Sequence, residues 1–231
     1  MGGTKSVFRY FTRTEAALWC FSVLLISLAF MGFDGENYLS LCASLLGVTS
    51  LILCAKGNPA GQLLMVLFSM LYGYISYSFA YYGEMLTYMG MTAPMAVVAF
   101  VSWFRNPYKG NRAEVKVNRL GRRDMILMLI LAVPVTVFFY FVLEAFGTAN
   151  IVPSTVSVTT SFVAVYLTFR RSCWFALAYA VNDLVLVVLW SLASLKDSSY
   201  VSVLACFIVF FLNDLYGFYN WQKMQRRQEV G

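Results

Sequence analysis

The sequence predicts an all-α membrane protein, a bundle of eight transmembrane helices. Three observations carry that reading. The 231-residue chain is 60% hydrophobic and only 12% charged, where a soluble domain carries about 25% charge. Its mean hydropathy is +0.70. The apolar residues gather into runs near the ~20 residues that a bilayer-crossing helix needs, and the strict alternation of a membrane barrel is missing.

The runs give spans at 16–33, 38–55, 62–82, 88–104, 125–147, 151–169, 173–195 and 199–220. The first follows Lys5, Arg9 and Arg13, as a signal peptide would, but no small-x-small cleavage site comes after it, so it reads as a retained helix. Met1-Gly2 with Ser6 fits the loose myristoylation pattern, a chance match in a chain with many spans. Spans two to four form a tight triplet joined by "KGNPAG" and "YYGEMLTY". Span five stands apart, after the basic stretch "RNPYKGNRAEVKVNRLGRRD". Spans six to eight form a second triplet, joined by "RRS" and "KDSS".

The layout is therefore one extra N-terminal helix (1–35), a three-helix repeat (38–104), a basic cytoplasmic loop (105–124), an inversion linker helix (125–147), a second three-helix repeat (151–220) and a basic tail (221–231). Each triplet has an odd number of spans, so the linker is needed for both to cross the membrane in the same direction. Two parallel repeats in a 3+1+3 bundle are a transporter pattern, with substrate bound near the midplane between them.

Charge orients the bundle. Of the 17 Lys and Arg residues, all but Lys196 fall on one side of the alternating loops. The other side carries Asp34, Glu36, Glu84, Glu144 and Asp197. By the positive-inside rule both termini are cytoplasmic. The net charge of +6 then reports topology and contact with lipid headgroups, not a nucleic-acid surface. Trp103, Trp221 and Tyr108, at the basic ends of spans, read as interfacial anchors.

Much chemistry is excluded. The chain has no histidine, which removes His-based acid–base work, triads and most zinc sites. Its cysteines (Cys20, Cys42, Cys54, Cys173 and Cys206) form no Cys-x-x-Cys pair and read as small apolar residues. There is no Gly-rich phosphate loop. No metal, cofactor, ATP-driven step or enzymatic turnover is expected. The expected partners are a small-molecule substrate and membrane lipid. A homo-oligomer such as a trimer is compatible with the surface, because lipid-facing and subunit-facing apolar residues read alike.

Polar side chains inside spans are costly in lipid and turn to the interior. In span seven Tyr179, Asn182, Asp183, Leu186 and Trp190 share one helical face. In span eight Asn213, Tyr216 and Asn220 do, with Gly217 beside them, and in span three Gln62, Ser69, Tyr72, Gly73 and Ser76. These stripes fit a central cavity in which aromatic faces sandwich a flat ring and amides and hydroxyls take its polar edge. The competing account is interhelical hydrogen bonding, which is preferred for Ser69, Ser76 and the "PSTVSVTTS" start of span six. Asp183 and Asp214 read as the only acids in apolar runs, without a Lys or Arg in any span to pair with them. Proton coupling and attraction of a cationic ring both remain open for Asp183. Asp214, about 100° round the helix from Asn213, reads as bonding a neighbouring helix.

The stretches "WFRNPYKGNRAEVKVNRL", "IVPSTVSVTTSFVAVYLTFRRS" and "FFLNDLYGFYNWQKM" resemble the PnuC family of bacterial vitamin transporters, from span two to the C-terminus. The resemblance implies a fold related to SWEET transporters and a bacterial plasma-membrane location. It also implies facilitated uptake by alternating access, with cytoplasmic phosphorylation trapping the cargo. The implied cargo is nicotinamide riboside, while relatives carry thiamine, riboflavin or deoxynucleosides. The family's Asn-x-x-Tyr motif matches Asn213 and Tyr216. Its Trp-x-x-Trp-x-x-x-Asn/Asp motif fits only with Tyr179 at the second Trp, Asp183 at the Asn/Asp and Ala176 at the first Trp. The substrate-binding set is then Asn213, Tyr216, Tyr179, Asn182, Asp183, Gln62, Tyr72 and Trp190. The rivals are a membrane enzyme, a receptor and a proton-coupled version of the transporter.

Overall fold

A computed structural model describes residues 10–148 and 150–230. Among these residues eight helices are long and apolar enough to cross a membrane. They are α1 (Arg13–Phe33), α2 (Tyr38–Ala55), α3 (Pro59–Ser78), α4 (Tyr82–Arg105), α5 (Arg122–Ala145), α6 (Ile151–Phe169), α7 (Phe175–Ser194) and α8 (Val201–Val230). The segment with Lys5, Arg9 and the Met1-Gly2/Ser6 pattern lies outside the described residues, as do Ala149 and Gly231.

Local chemistry sets the helix starts. Thr12 and Glu15 cap α1 reciprocally, with Glu15 N donating to Thr12 Oγ1 (3.2 Å) and Thr12 N to Glu15 Oε2 (2.7 Å). Asn58 caps α3, and Pro59 follows at the first helical position, where its missing N–H costs nothing. α4 is interrupted by a π-helical stretch, Leu86–Thr92.

Six helices close a ring in the order α2, α3, α4, α6, α7, α8 and back to α2. α5 lies outside, against α6, and buries only Ala132 and Leu143. α1 packs on the seam between α2 and α8 through a narrow stripe of Glu15, Ser22, Ile26 and Phe30. Small residues let the helices approach. A Cβ on Gly61 of α3 would lie 2.7 Å from Cys54 N and 2.9 Å from Ser50 O of α2.

The two seams between the triplets carry matching hydrogen bonds. Trp103 Nε1 on α4 donates to Thr168 O on α6 (2.9 Å), and Trp221 Nε1 on α8 donates to Cys54 O on α2 (2.8 Å). Ser102 Oγ reaches Phe169 O (3.1 Å), as Asn220 Nδ2 reaches Ala55 O (2.7 Å). The turns that follow α2 and α6 match too. Gly57 N bonds Cys54 O and Asn58 N bonds Leu53 O, while Arg171 N bonds Thr168 O and Ser172 N bonds Leu167 O. Gly57 and Arg171 both take the left-handed backbone, at φ 68° and 56°.

Several expectations are corrected. Trp103 and Trp221 are not interfacial anchors, because both are fully buried. Helix-end carbonyls take their indole N–H groups, and their rings pack on each other at 5.1 Å and on Phe175. The 105–124 stretch is not plain loop. Pro107–Tyr108 pairs antiparallel with Asn111–Val115, and Lys109 and Gly110 make the turn at positive φ. The buried Val115 donates its N–H to Gly57 O, and Asn118 N donates to Arg171 O. The tail after residue 220 is helical, since α8 continues to Val230 and is held to the hairpin by Gln228 and Arg227. The basic connections and the end of α8 thus interlock at one end of the bundle.

Asp183 and Asp214 are also not the only buried acids. Glu15 and Glu84 are each 1% exposed. α4 begins six residues before the expected span, which draws Glu84 from the loop into the bundle.

Candidate functional site

The polar stripe of α7 meets three different neighbours. The Asn182 carboxamide oxygen faces α6, where it accepts hydrogen bonds from Thr160 Oγ1 (2.8 Å) and Ser161 Oγ (3.0 Å). The hydroxyl-rich start of α6 therefore acts as interhelical glue, as its sequence predicts. Asp183 turns instead to α8, where its carboxyl group lies against that of Asp214, and its Oδ2 is buried with no hydrogen-bond partner among the described residues. Asp214 thus meets a neighbouring helix through a carboxyl contact. Tyr179, one turn below, lies beside Asp214 and Cys54. Gln62 on α3 joins this layer by donating to Cys54 Sγ (3.2 Å). Among the described residues, the groups that act on the two acids include no Lys or Arg.

Above this layer the ring is filled by aromatic side chains. Tyr72 stacks on Phe68 (5.5 Å) and meets Tyr88 (4.5 Å), Phe207 (5.3 Å) and Trp190 (6.3 Å) edge to face. Trp190 also packs on Tyr81 (4.7 Å). The buried Tyr72 hydroxyl faces the Trp190 indole, while Ser69 Oγ and Ser76 Oγ are buried with no hydrogen-bond partner among the described residues. The two serines are therefore not the glue that their sequence context predicts. Below the layer sits the second aromatic cluster, Trp103, Phe175 and Trp221. Along α7 the order is Phe175, Asp183, Trp190, and along α8 it is Phe210, Asp214, Trp221. The acid pair thus lies between two aromatic plugs.

The α8 motif points elsewhere. Asn213 is 2% exposed, and its Nδ2 donates to Ser22 Oγ on α1 (2.9 Å) and to Val209 O (2.8 Å). The Tyr216 hydroxyl donates to Glu15 Oε1 on α1 (3.2 Å). Glu15 also accepts from Lys56 Nζ, just past the end of α2, at 2.9 and 3.0 Å. The same face of α8 leads into a cavity of about 420 Å³ at the basic end, whose lining includes Glu15, Lys56, Asn220 and Lys223. The structure therefore gathers Tyr179, Asp183 and Gln62 with Asp214, and Tyr72 with Trp190. It places Asn182 against α6, and Asn213 with Tyr216 against α1.

Sequence reasoning missed Ser22, Glu15 and Glu84. Glu15 and Ser22 recur with Ile26 and Phe30 on one face of α1, a stripe that could have been read. Glu84 carried no such signal, because the π stretch shifts the helical phase. At position 176, where the related motif has a tryptophan, there is no room for a ring. Ala176 is fully buried, and its Cβ would lie 3.4 Å from a Cβ on Gly217.

Comparison with known proteins fits this arrangement. The chain is 28% identical over 228 residues to the nicotinamide riboside transporter PnuC of Neisseria mucosa, covering 96% of this chain and 86% of that one. It is 20% identical over 195 residues to the nicotinamide riboside transporter PnuC of Haemophilus influenzae, covering 83% and 82%. The crystal structure of the vitamin B3 transporter PnuC superposes with a TM-score of 0.83 at 26% identity over 94% of each chain. The family described as nicotinamide mononucleotide transporter matches residues 37–223. With most of its length covered by that match, the chain belongs to the nicotinamide mononucleotide transporter family.

Proposed function

We propose that this protein carries nicotinamide riboside across a bacterial plasma membrane by alternating access, without enzymatic turnover. The observation that carries the reading is the acid pair, Asp183 with Asp214, set beside Tyr179 between two aromatic plugs. A pyridinium ring is flat and cationic. Aromatic faces attract such a ring, and a carboxylate in a poorly solvated site attracts it more strongly than in water. Transport then requires each plug to open in turn while the other stays shut. The matching hydrogen bonds at the α4–α6 and α8–α2 seams support two equivalent three-helix units moving against each other. The interlocked basic end is the cytoplasmic one on this reading, and phosphorylation of the cargo there makes uptake one-way.

A second cargo class is favoured by one specific feature. The closed packing of Ala176 against Gly217 removes one aromatic wall of the related motif. A thiamine, riboflavin or deoxynucleoside carrier would keep the fold and mechanism. Calorimetric binding of nicotinamide riboside, thiamine, riboflavin and thymidine to the purified protein separates the two readings. Saturable binding of nicotinamide riboside, lost in Asp183→Asn and Tyr179→Ala, supports the first. Preference for another ligand replaces it.

A further inference from the structure

The N-terminal helix lies outside the six-helix ring, yet both polar groups of its buried stripe bond the two motif residues of α8. The contact with Asn213 has a definite chemical consequence. Val209 O is an acceptor only, so the Asn213 atom facing it must be the N–H₂ group. Ser22 Oγ takes the second N–H of that group. Both amide donors are then satisfied, and the carboxamide oxygen Oδ1 is left buried with no partner among the described residues. A buried acceptor of this kind is costly unless something donates to it. One turn along, Glu15 accepts the Tyr216 hydroxyl while Lys56 and the Thr12 N–H hold its carboxylate in place.

We propose that Ser22 and Glu15 are positioning residues of the substrate site. Ser22 fixes the Asn213 amide so that Oδ1 accepts a hydrogen bond from an N–H or O–H of the cargo, and Glu15 fixes the rotamer and proton direction of Tyr216. The cargo chemistry that fits is a ring compound bearing a carboxamide or sugar hydroxyl donor. The inference rests on the transport reading above and adds to it that Asn213 Oδ1 and Tyr216 meet the permeant.

The test is a pair of double-mutant cycles on purified full-length protein. Dissociation constants are measured by calorimetry for nicotinamide riboside, thiamine, riboflavin and thymidine, and KM and maximal flux are measured in liposomes. Ser22→Ala and Glu15→Gln are each expected to weaken binding of the preferred ligand by about three- to tenfold, the effect of weakening one hydrogen bond. KM should rise in parallel while maximal flux holds within about twofold, since the contact acts on binding. Ser22→Ala on an Asn213→Ala background, and Glu15→Gln on Tyr216→Phe, should add nothing further. Ser22→Thr, which keeps the hydroxyl, should restore affinity. Unchanged dissociation constants, fully additive losses, or a fall in flux at constant KM would mean that α1 is only a structural brace and overturn the inference alone. Wild-type protein that binds none of the four ligands overturns the transport reading, and the inference falls with it.

Discussion

Trp103 and Trp221 place their rings 5.1 Å apart at the centre of the basic end, and each spans a different seam of the ring with its indole N–H. They come from α4 and α8, the closing helices of the two triplets, and they bond α6 and α2, the opening helices. Replacing either by phenylalanine keeps most of the ring and removes one donor. The expected loss is about 0.6–1.7 kcal/mol, the range for interhelical hydrogen bonds in membranes. Thermal unfolding in detergent should show similar losses for Trp103→Phe and Trp221→Phe. A large loss for one and none for the other would show that the seams are not equivalent.

Asp183 and Asp214 make a different prediction. Two adjoining carboxyl groups with no cationic neighbour among the described residues repel each other when both are ionised, and a neutral amide at one of them relieves that repulsion. A single neutral partner serves that contact as well as an acid does. Asp214→Asn should therefore leave the fold intact and keep nicotinamide riboside binding within about threefold, while Asp183→Asn loses more than about tenfold through the missing carboxylate. Flux under an imposed pH gradient checks the role of the proton. Gradient-driven accumulation that vanishes in Asp183→Asn would establish coupling, and indifference to the gradient would leave facilitated diffusion.

The glycines of α3 separate backbone from side-chain crowding. A methyl group at Gly61 would press on Cys54 N and Ser50 O, which belong to the α2 backbone and cannot yield. A methyl group at Gly73 would meet Met89 Cγ at 2.3 Å, but that side chain is flexible. Gly61→Ala should cost about 1–3 kcal/mol, as overpacking typically does. Gly73→Ala should cost clearly less. Melting temperatures of the two variants decide it, and a Gly61→Ala protein as stable as wild type would refute the close α2–α3 approach.

At the basic end, exposed and half-buried ties should behave differently. Arg119 pairs with Glu229 at 2.6 Å, but both are substantially exposed, so Arg119→Ala should change stability by no more than about 1 kcal/mol. Gln228 accepts from Val117 N (2.8 Å) and donates to Val115 O (3.0 Å), which makes it a backbone tie between α8 and the hairpin beside the Arg227–Glu114 pair. Gln228→Ala should raise proteolytic cleavage within 107–115 several-fold, where Arg119→Ala leaves it unchanged. Limited proteolysis of the two variants side by side is the check.

The helices were legible because hydrophobic length is nearly all that a bilayer demands of them. The faces were less so. Helical spacing correctly grouped Tyr179, Asn182 and Asp183, but it cannot say which neighbour each residue meets. Adjacent positions on one face reach α6 and α8 respectively. Trp103 and Trp221 sit where interfacial tryptophans sit, and only the partner carbonyls across the seams show that they are core. Glu15 looked like a loop residue near a basic segment because Lys56, which balances it, is 41 residues away.

The π stretch of α4 has a geometric consequence of its own. In an unbroken α-helix Glu84 would point about 100° away from Trp103, toward the outside of the bundle. The wider Leu86–Thr92 turns take up roughly one residue's worth of rotation, which brings Glu84 round to the same side as Trp103. The helix thus works as two rods joined with a fixed phase offset. Its outer rod delivers Glu84, Thr87 and Tyr88 to the interior, and its inner rod delivers Ala96, Ala99 and Trp103. Shortening α4 by one residue inside 86–92 would keep a continuous helix and leave the inner rod in place, while turning an acidic side chain out toward hydrocarbon.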